Sequence, residues 1–389
     1  MVRSRRLRRV LEGSRRRDRR HQISRLVGER MLPTVDTDVA IITGPRELQF
    51  EQETLVLEGM GPREVGAETL YTAVSPGSEL AAYEGLQVLR PDRAHSKAVG
   101  YCNLARVIGC GEYVSRYRPG DLILTLESHR SHFVCGDDEI LLKLPPGDYD
   151  AAQLRAAATT YLFHQGYAAL LAGELKPGQY VAVVGLGTLG LGAVSVASRF
   201  GARVFGLSNQ EASREAALRV GARRAFDKSH RDEALATFRA ETATTGIDLV
   251  VLTSSKWEDY RLAVEIARAG GRVCILGFPG RRESEIPFNP LDPTWFYRKQ
   301  LAVIACGYTP DVDIDPRDIR FTIRRNCAYL LELILAGELP ATELISDVVG
   351  YRDLGSVYER IAAREAGFRS AVITWPGARD DAAPEGVLP

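Results

Sequence analysis

Apolar positions change rhythm along this chain. Between Asp38 and Leu126 they fall in short β-rich runs, Val39–Thr43, Glu47–Gln52, Ala67–Val74, Leu104–Ile108 and Asp121–Leu126, which read as strands. Gly44-Pro45, Gly61-Pro62 and Arg118-Pro119-Gly120-Asp121 supply the turns. The pattern predicts an all-β section, a partly closed barrel of short strands. Ala151–Gly173 then reads as helix, and Lys176-Pro177-Gly178 ends that connection. Beyond it, apolar strands at Tyr180–Val184, Arg203–Leu207, Asp248–Leu252, Arg272–Leu276 and Leu301–Ala305 alternate with helical patterns such as Glu211–Val220 and Trp257–Ala269. Gly270-Gly271 reads as a helix cap before the next buried strand. Strand–helix alternation at this spacing predicts right-handed crossovers and a doubly wound parallel sheet. A helix over Arg320–Ala336 and a strand over Ser370–Trp375 are expected to return to the first domain.

One segment carries chemistry as well as pattern. Gly185-Leu186-Gly187-Thr188-Leu189-Gly190 follows the apolar run Val181–Val184 and opens the small-residue helical stretch Leu191–Phe200. The first glycine permits a tight strand-to-helix turn, and the second lets a pyrophosphate approach the backbone. The third lets helix and strand pack closely, and the helix N-terminus offers free N–H groups to phosphate. The segment predicts a bound dinucleotide. The expected organisation is an arginine-rich, disordered extension over 1–35 and a β-rich catalytic domain over 36–160. A Rossmann dinucleotide-binding domain over 161–308, a return segment over 309–376 and a disordered tail over 377–389 complete it.

Composition narrows the function classes. Lys+Arg and Asp+Glu are both 50, so no global field points to nucleic acid or acidic lipid. Charge is nonetheless uneven, because twelve of the first thirty residues are arginine. That stretch lacks the apolar core of a secretory signal. It reads as a non-catalytic extension, or as residues upstream of a true start at Met31; an organellar presequence or a basic arm for an anionic partner are the other options. The six cysteines form no Cys-x-x-Cys pair, which argues against a zinc lobe and a disulfide framework and for a reducing cytoplasm. Pro177–Ser198 is uncharged for 22 residues, but its glycines fit a cofactor turn rather than a membrane span. Neither a Gly-x-Ser-x-Gly elbow nor a phosphate-binding Gly-x-x-x-x-Gly-Lys-Ser/Thr run occurs, so acyl transfer and phosphate hydrolysis have no support.

A β-rich section, a nucleotide-binding section and a return segment, with Glu174–Gln179, the glycine turn, Gly201-Ala202-Arg203-Val204 and Gly270-Gly271-Arg272-Val273 in order, together resemble the medium-chain dehydrogenase/reductase superfamily. The resemblance spans Val39 to Trp375 and implies a GroES-like domain, a nicotinamide cofactor, a small-molecule substrate and a homodimer joined near Leu301–Ala305. Zinc-dependent members carry a Cys-Gly-Ser/Thr-Asp run, a Gly-His-Glu run and a third ligand. Here the matching positions hold Pro76-Gly77-Ser78-Glu79, Gly100-Tyr101-Cys102 and Tyr161. Proline and neutral tyrosine are not usual zinc ligands, so no metal is expected. The Ser75-Pro76-Gly77-Ser78-Glu79 variant is similar to the branch that includes bacteriochlorophyllide a dehydrogenase.

These residues set the chemical expectations. The position that holds the adenosine ribose falls at Ser208, where Ser208 and Asn209 carry no charge to repel a 2′-phosphate and Arg214 is close enough in sequence to reach one. NADP is therefore expected over NAD; an ordinary exposed helix arginine is the other reading of Arg214. Without zinc, hydrogen-bond donors must stabilise a developing oxyanion. Ser78 aligns with a proton-relaying hydroxyl in the relatives, or is a turn serine. Tyr101 and Tyr161 are expected to face the cleft, as phenolic donors or as fillers of the vacated metal site. Glu79 orients the site by pairing with an arginine, or is solvated. His164 touches nicotinamide or substrate, or makes a structural bond; His95, His129 and His132 show no metal-like spacing. Trp295 and Tyr297 line the cleft or an interface, or pack in the core. The expected function is zinc-independent hydride transfer between NADP and a small organic molecule, a secondary alcohol or ketone. Reduction of an enone or quinone, or a non-catalytic NADP(H)-binding sensor or scaffold, are the alternatives.

Overall fold

A computed structural model describes residues 34–57, 59–86, 98–283, 285–307, 309–310, 317 and 319–378. The arginine-rich stretch, Met31, His95 and the tail beyond 378 lie outside the described residues. β1 (Thr34–Gly44) and β2 (Glu47–Val56) form an antiparallel hairpin around Pro45-Arg46. β3 (Glu64–Ala73) is buried along almost its whole length, and a short helix, α1 (Pro76–Tyr83), follows it. β4 (Asn103–Cys110), β5 (Leu122–Thr125), β6 (His132–Gly136) and β7 (Ile140–Lys143) complete the β-rich section. β3 pairs antiparallel with both β4 and β6, so it is the sheet's hub.

The helix expected over Ala151–Gly173 is broken in two, α2 (Ala151–Ala157) and α3 (Thr160–Ala172). At the break, the Thr159 and Thr160 hydroxyls donate to the carbonyls of Ala156 and Ala157, a side-chain bond that competes with helix propagation.

The nucleotide section follows as β8 (Tyr180–Val184), α4 (Thr188–Arg199), β9 (Arg203–Leu207), α5 (Glu211–Arg219), β10 (Arg224–Phe226) and α6 (Arg231–Glu241). β11 (Ile247–Leu252), α7 (Trp257–Ile266), β12 (Ala267–Ile275) and β13 (Ala302–Ala305) then complete a parallel sheet ordered β10-β9-β8-β11-β12-β13. Strand order reverses beside β8, and ligands of such sheets bind outside the strand ends at that switch point. One expectation is corrected. Gly270-Gly271 does not cap a helix: α7 ends at Ile266, Ala267 is already extended and pairs with Ile247, and both glycines lie within β12.

The remaining chain forms α8 (Ile323–Leu335), β14 (Asp347–Gly350), α9 (Leu354–Ala362) and β15 (Ala371–Thr374). β15 pairs antiparallel with β3, so the last strand closes onto the β-rich sheet as its sequence position suggested. The largest apolar core is continuous from Leu70 and Leu104 through Leu162 and Phe163 on α3 to Val183 and Leu191. That shared core fixes α3 between the two sheets and sets the cleft. No helix among the described residues is long and apolar enough to cross a membrane.

Candidate active site

The glycine turn sits at the carboxyl end of β8 and has three different geometries. Gly185 has φ +100°, and a side chain there would strike Thr253 Oγ1 at 2.6 Å. Gly190 has no room at all, because an added Cβ would lie 2.0 Å from the Gly185 carbonyl oxygen. Gly187 is exposed, and an added Cβ would meet nothing within 4 Å. Its backbone therefore faces open space at the N-cap of α4, where no side chain caps the helix. Leu186 and Leu189 anchor the turn in the core, and Thr188 Oγ1 donates to the Arg369 carbonyl at 3.4 Å. A tight turn, a close helix and an uncapped approach for phosphate are what a dinucleotide requires. These residues fit a nicotinamide dinucleotide.

At the end of β9, Ser208 is buried and its hydroxyl accepts from the Gln210 amide at 3.1 Å; Asn209 is exposed. Arg214 does reach this end of the sheet. It donates to the Ser208 carbonyl at 3.0 Å and to Asp227 at 3.2 Å. Sequence proximity alone did not foresee Asp227, whose carboxyl is held below its usual range by Ser229 and Arg214.

Across the cleft, two of the positions that the family resemblance matches to metal ligands come together. The Tyr101 and Tyr161 rings meet edge to face with centroids 5.7 Å apart. Tyr101 Oη donates to Ser75 Oγ at 2.5 Å, and Ser78 also hydrogen-bonds the phenol. Burial, with Cys102 and Glu79 nearby, pushes the phenol well above its usual range despite those two bonds. Tyr101 is thus a neutral donor, not a phenolate. Among the described residues no three His, Cys, Asp or Glu side chains converge to hold a metal. A proline and two neutral phenols offer no usual zinc donors, so the residues at these positions do not fit a catalytic zinc.

Glu79 corrects its sequence reading: it is neither solvated nor paired with an arginine. It is 2 % exposed, accepts from the Ser75 amide at 2.8 Å, from Tyr358 Oη at 2.8 Å and from His129 Nε2 at 2.9 Å. His129 Nδ1 meets Thr72 Oγ1 at 2.7 Å, and that hydroxyl accepts from Trp375 Nε1 at 3.0 Å. Thr72 therefore has its own proton to give Nδ1, leaving Nε2–H for Glu79. The partners come from β3, β6's approach loop and the return segment, which hides the cluster from any local motif. Gly100, at φ +97°, is the one legible trace, since an added Cβ would lie 2.5 Å from the His129 ring.

His164 lies 5.4 Å, centroid to centroid, from Tyr161 and is 1 % exposed, with no partner for Nδ1 among the described residues. Burial pushes its pKa down to about 4. Trp295 packs on the rear core and Tyr297 is exposed, so neither joins this cluster.

A family described as zinc-binding dehydrogenase matches residues 188–314. Sorbitol dehydrogenase of Bacillus subtilis is 32% identical over 141 residues, which are 36% of this chain and 39% of that protein. L-Threonine 3-dehydrogenase of Caldanaerobacter subterraneus subsp. tengcongensis is 24% identical over 59% of this chain and 72% of its own. The alignment thus spans well under half of one of these relatives. The alcohol dehydrogenase TADH from Thermus sp. ATN1 superposes with a TM-score of 0.69 over 87% of this chain and 99% of that one, at 19% identity. A putative zinc-binding dehydrogenase from Sinorhizobium meliloti 1021, solved bound to NADP, gives 0.69 over the same shares at 17% identity. The chain is thus similar to zinc-binding dehydrogenases in sequence over part of its length, and to alcohol dehydrogenase structures in fold over most of it.

Proposed function

We propose that this protein is a zinc-independent, NADP-preferring oxidoreductase that interconverts a secondary alcohol and a ketone. The observation that carries the proposal is the hydroxyl cluster of Tyr101, Ser75 and Ser78 at the positions aligned with metal ligands in zinc-dependent members. The Ser75–Glu79 run supports the zinc-lacking branch of the superfamily. NADP preference rests on the uncharged Ser208 and Asn209, with Arg214 positioned to exchange Asp227 for a 2′-phosphate. A bound nicotinamide supplies the hydride.

The chain's own residues handle the oxygen. Tyr101 holds its proton, so it donates to the oxygen of a carbonyl as negative charge develops there, a contribution of about 10²- to 10⁴-fold for a positioned acid. Ser75 and Ser78 keep the phenol oriented and offer hydroxyls to its oxygen once the proton has moved. Glu79 is a positioning residue, holding Ser75 through its backbone amide. Tyr161 walls the site and holds the Tyr101 ring edge-on.

Homodimerisation belongs to the same proposal. β13 is the outer strand of the parallel sheet and has no neighbour beyond it among the described residues; such an edge pairs readily with a second copy. The experiment is to follow NADPH and NADH oxidation against a panel of ketones, enones and quinones with wild type and Tyr101→Phe. Ketone reduction with NADPH that collapses in Tyr101→Phe supports the proposal. NADPH binding without turnover of any of them contradicts it.

A further inference from the structure

The loop after β12 crosses the mouth of the cleft and carries a cation that the hydroxyl cluster does not use. Two glycines pin this loop. An added Cβ at Gly277 would lie 2.4 Å from the Ser254 carbonyl oxygen, and one at Gly280, φ +82°, would lie 2.4 Å from Trp257 Nε1. Gly277 N donates to the Leu252 carbonyl and Gly280 N to the Ser255 carbonyl, at 2.9 and 2.8 Å. The backbone that presents Arg281 is therefore set in advance by the parallel sheet.

From this base Arg281 reaches the other side of the cleft. Its Nη1 donates to the Gly77 carbonyl at 2.9 Å, one residue from Ser78. The guanidinium carbon lies 4.3 Å from the Phe278 ring centroid, so one face is covered and the fork is oriented. It forms no ion pair with a carboxylate among the described residues. The neighbouring acids are occupied: Glu84 pairs with Arg282, and Glu79 is enclosed by Ser75, His129 and Tyr358. Burial and the neighbouring Arg282 lower the Arg281 pKa. A guanidinium has five N–H donors, and the Gly77 carbonyl occupies one of them among the described residues.

We infer that Arg281 binds an anionic oxygen group, a carboxylate or a phosphate, on the carbonyl substrate that Tyr101 protonates. The substrate class is then an oxo acid or an oxo phosphate rather than a neutral ketone. This rests on the carbonyl-reductase reading above and adds a specificity-determining residue to it. Planar bidentate recognition is what separates arginine from lysine here.

The test measures binding to the NADP⁺-loaded protein, which cannot reduce a ketone. The probes are levulinate against methyl levulinate, and dihydroxyacetone phosphate against dihydroxyacetone; each pair differs in the anion, and the two pairs distinguish carboxylate from phosphate. Wild type is expected to prefer one anion over its neutral partner by at least about tenfold, the size of one charged hydrogen bond. Arg281→Gln should erase that ratio and Arg281→Lys restore part of it, with NADP⁺ affinity and Tm unchanged. Ratios near one in wild type, a ratio that survives Arg281→Gln, or no binding of any probe overturns the inference. So does a loss in Arg281→Gln confined to NADP⁺ affinity, which would place the arginine on the cofactor. NADPH turnover of the neutral probes without preference leaves carbonyl reduction standing and removes the anion site. Arg281-dependent anion binding with no turnover does the reverse.

Discussion

Tyr101 donates its phenolic proton to Ser75 Oγ at 2.5 Å, while the backbone amide of the same serine is held by Glu79 at 2.8 Å. Tyr101 is thereby tied to a backbone position that a buried carboxylate holds. Tyr101→Phe should lower kcat for ketone reduction by about 10²- to 10⁴-fold. NADP(H) affinity should stay within about twofold, since no difference in dinucleotide contacts is involved. Steady-state rates and fluorescence titration of NADPH check both halves; an unchanged kcat removes Tyr101 from the chemistry.

The glycine turn predicts opposite outcomes for two neighbouring substitutions. Gly187→Ala adds a methyl group to open space at φ −77°, a conformation alanine accepts. It should keep or slightly raise Tm yet weaken NADPH by at least about tenfold. Gly190→Ala drives a methyl group into the Gly185 carbonyl and should destabilise the fold by about 1–3 kcal/mol. Calorimetry of both variants with and without NADPH separates them. Full NADPH affinity in Gly187→Ala would mean that the dinucleotide does not lie against this turn.

Glu79 predicts a structural loss that reaches the site. Glu79→Ala leaves the Ser75 amide, Tyr358 Oη and His129 Nε2 without their acceptor. Each unsatisfied buried group costs about 1–3 kcal/mol, so denaturant midpoints should fall markedly. Glu79→Gln keeps one acceptor oxygen and should fall less, with kcat reduced more than NADPH affinity. Equal stability of Glu79→Ala and wild type contradicts the network.

His164 gives a pH signature. Its folded pKa, about 4, is below the unfolded value of 6.5 because burial disfavours the cation. The unfolded state therefore binds more protons in that window, and stability rises with pH there. The contribution is full above about pH 6.5 and is lost as pH falls toward 4, about 2 kcal/mol between pH 7 and pH 5. Urea midpoints of wild type and His164→Gln should converge at the acid end by this amount. Parallel pH dependences would show that His164 does not titrate in this way.

Much of this organisation was readable because its causes are local. β8 and β9 occur at the predicted residues, and the glycine turn lies between strand and helix as its spacing required. Non-local pairing explains the error at Gly270-Gly271. Ala267 continues from α7 into an extended residue only because Ile247 pairs with it, and no short window of sequence shows that neighbour. Ser78, Tyr101 and Tyr161 were readable only through the family resemblance; in space Tyr101 lies against Tyr161 and hydrogen-bonds Ser78. The support behind them was not readable. His129 reaches Glu79 from 50 residues away and Tyr358 from 279, and Arg281 reaches Gly77 across 204. Such contacts depend on β15 pairing with β3 and on the packing of both sheets against α3, which single-chain periodicity does not encode.

The most direct measurement is the zinc content of the purified protein, taken together with its NADPH-dependent ketone reductase rate before and after chelation. Tyr101 and Ser75 acting where zinc-dependent members hold metal predicts zinc far below one per chain and a rate that chelation leaves unchanged. One tightly held zinc per chain, with activity lost on its removal and restored by its return, would contradict it.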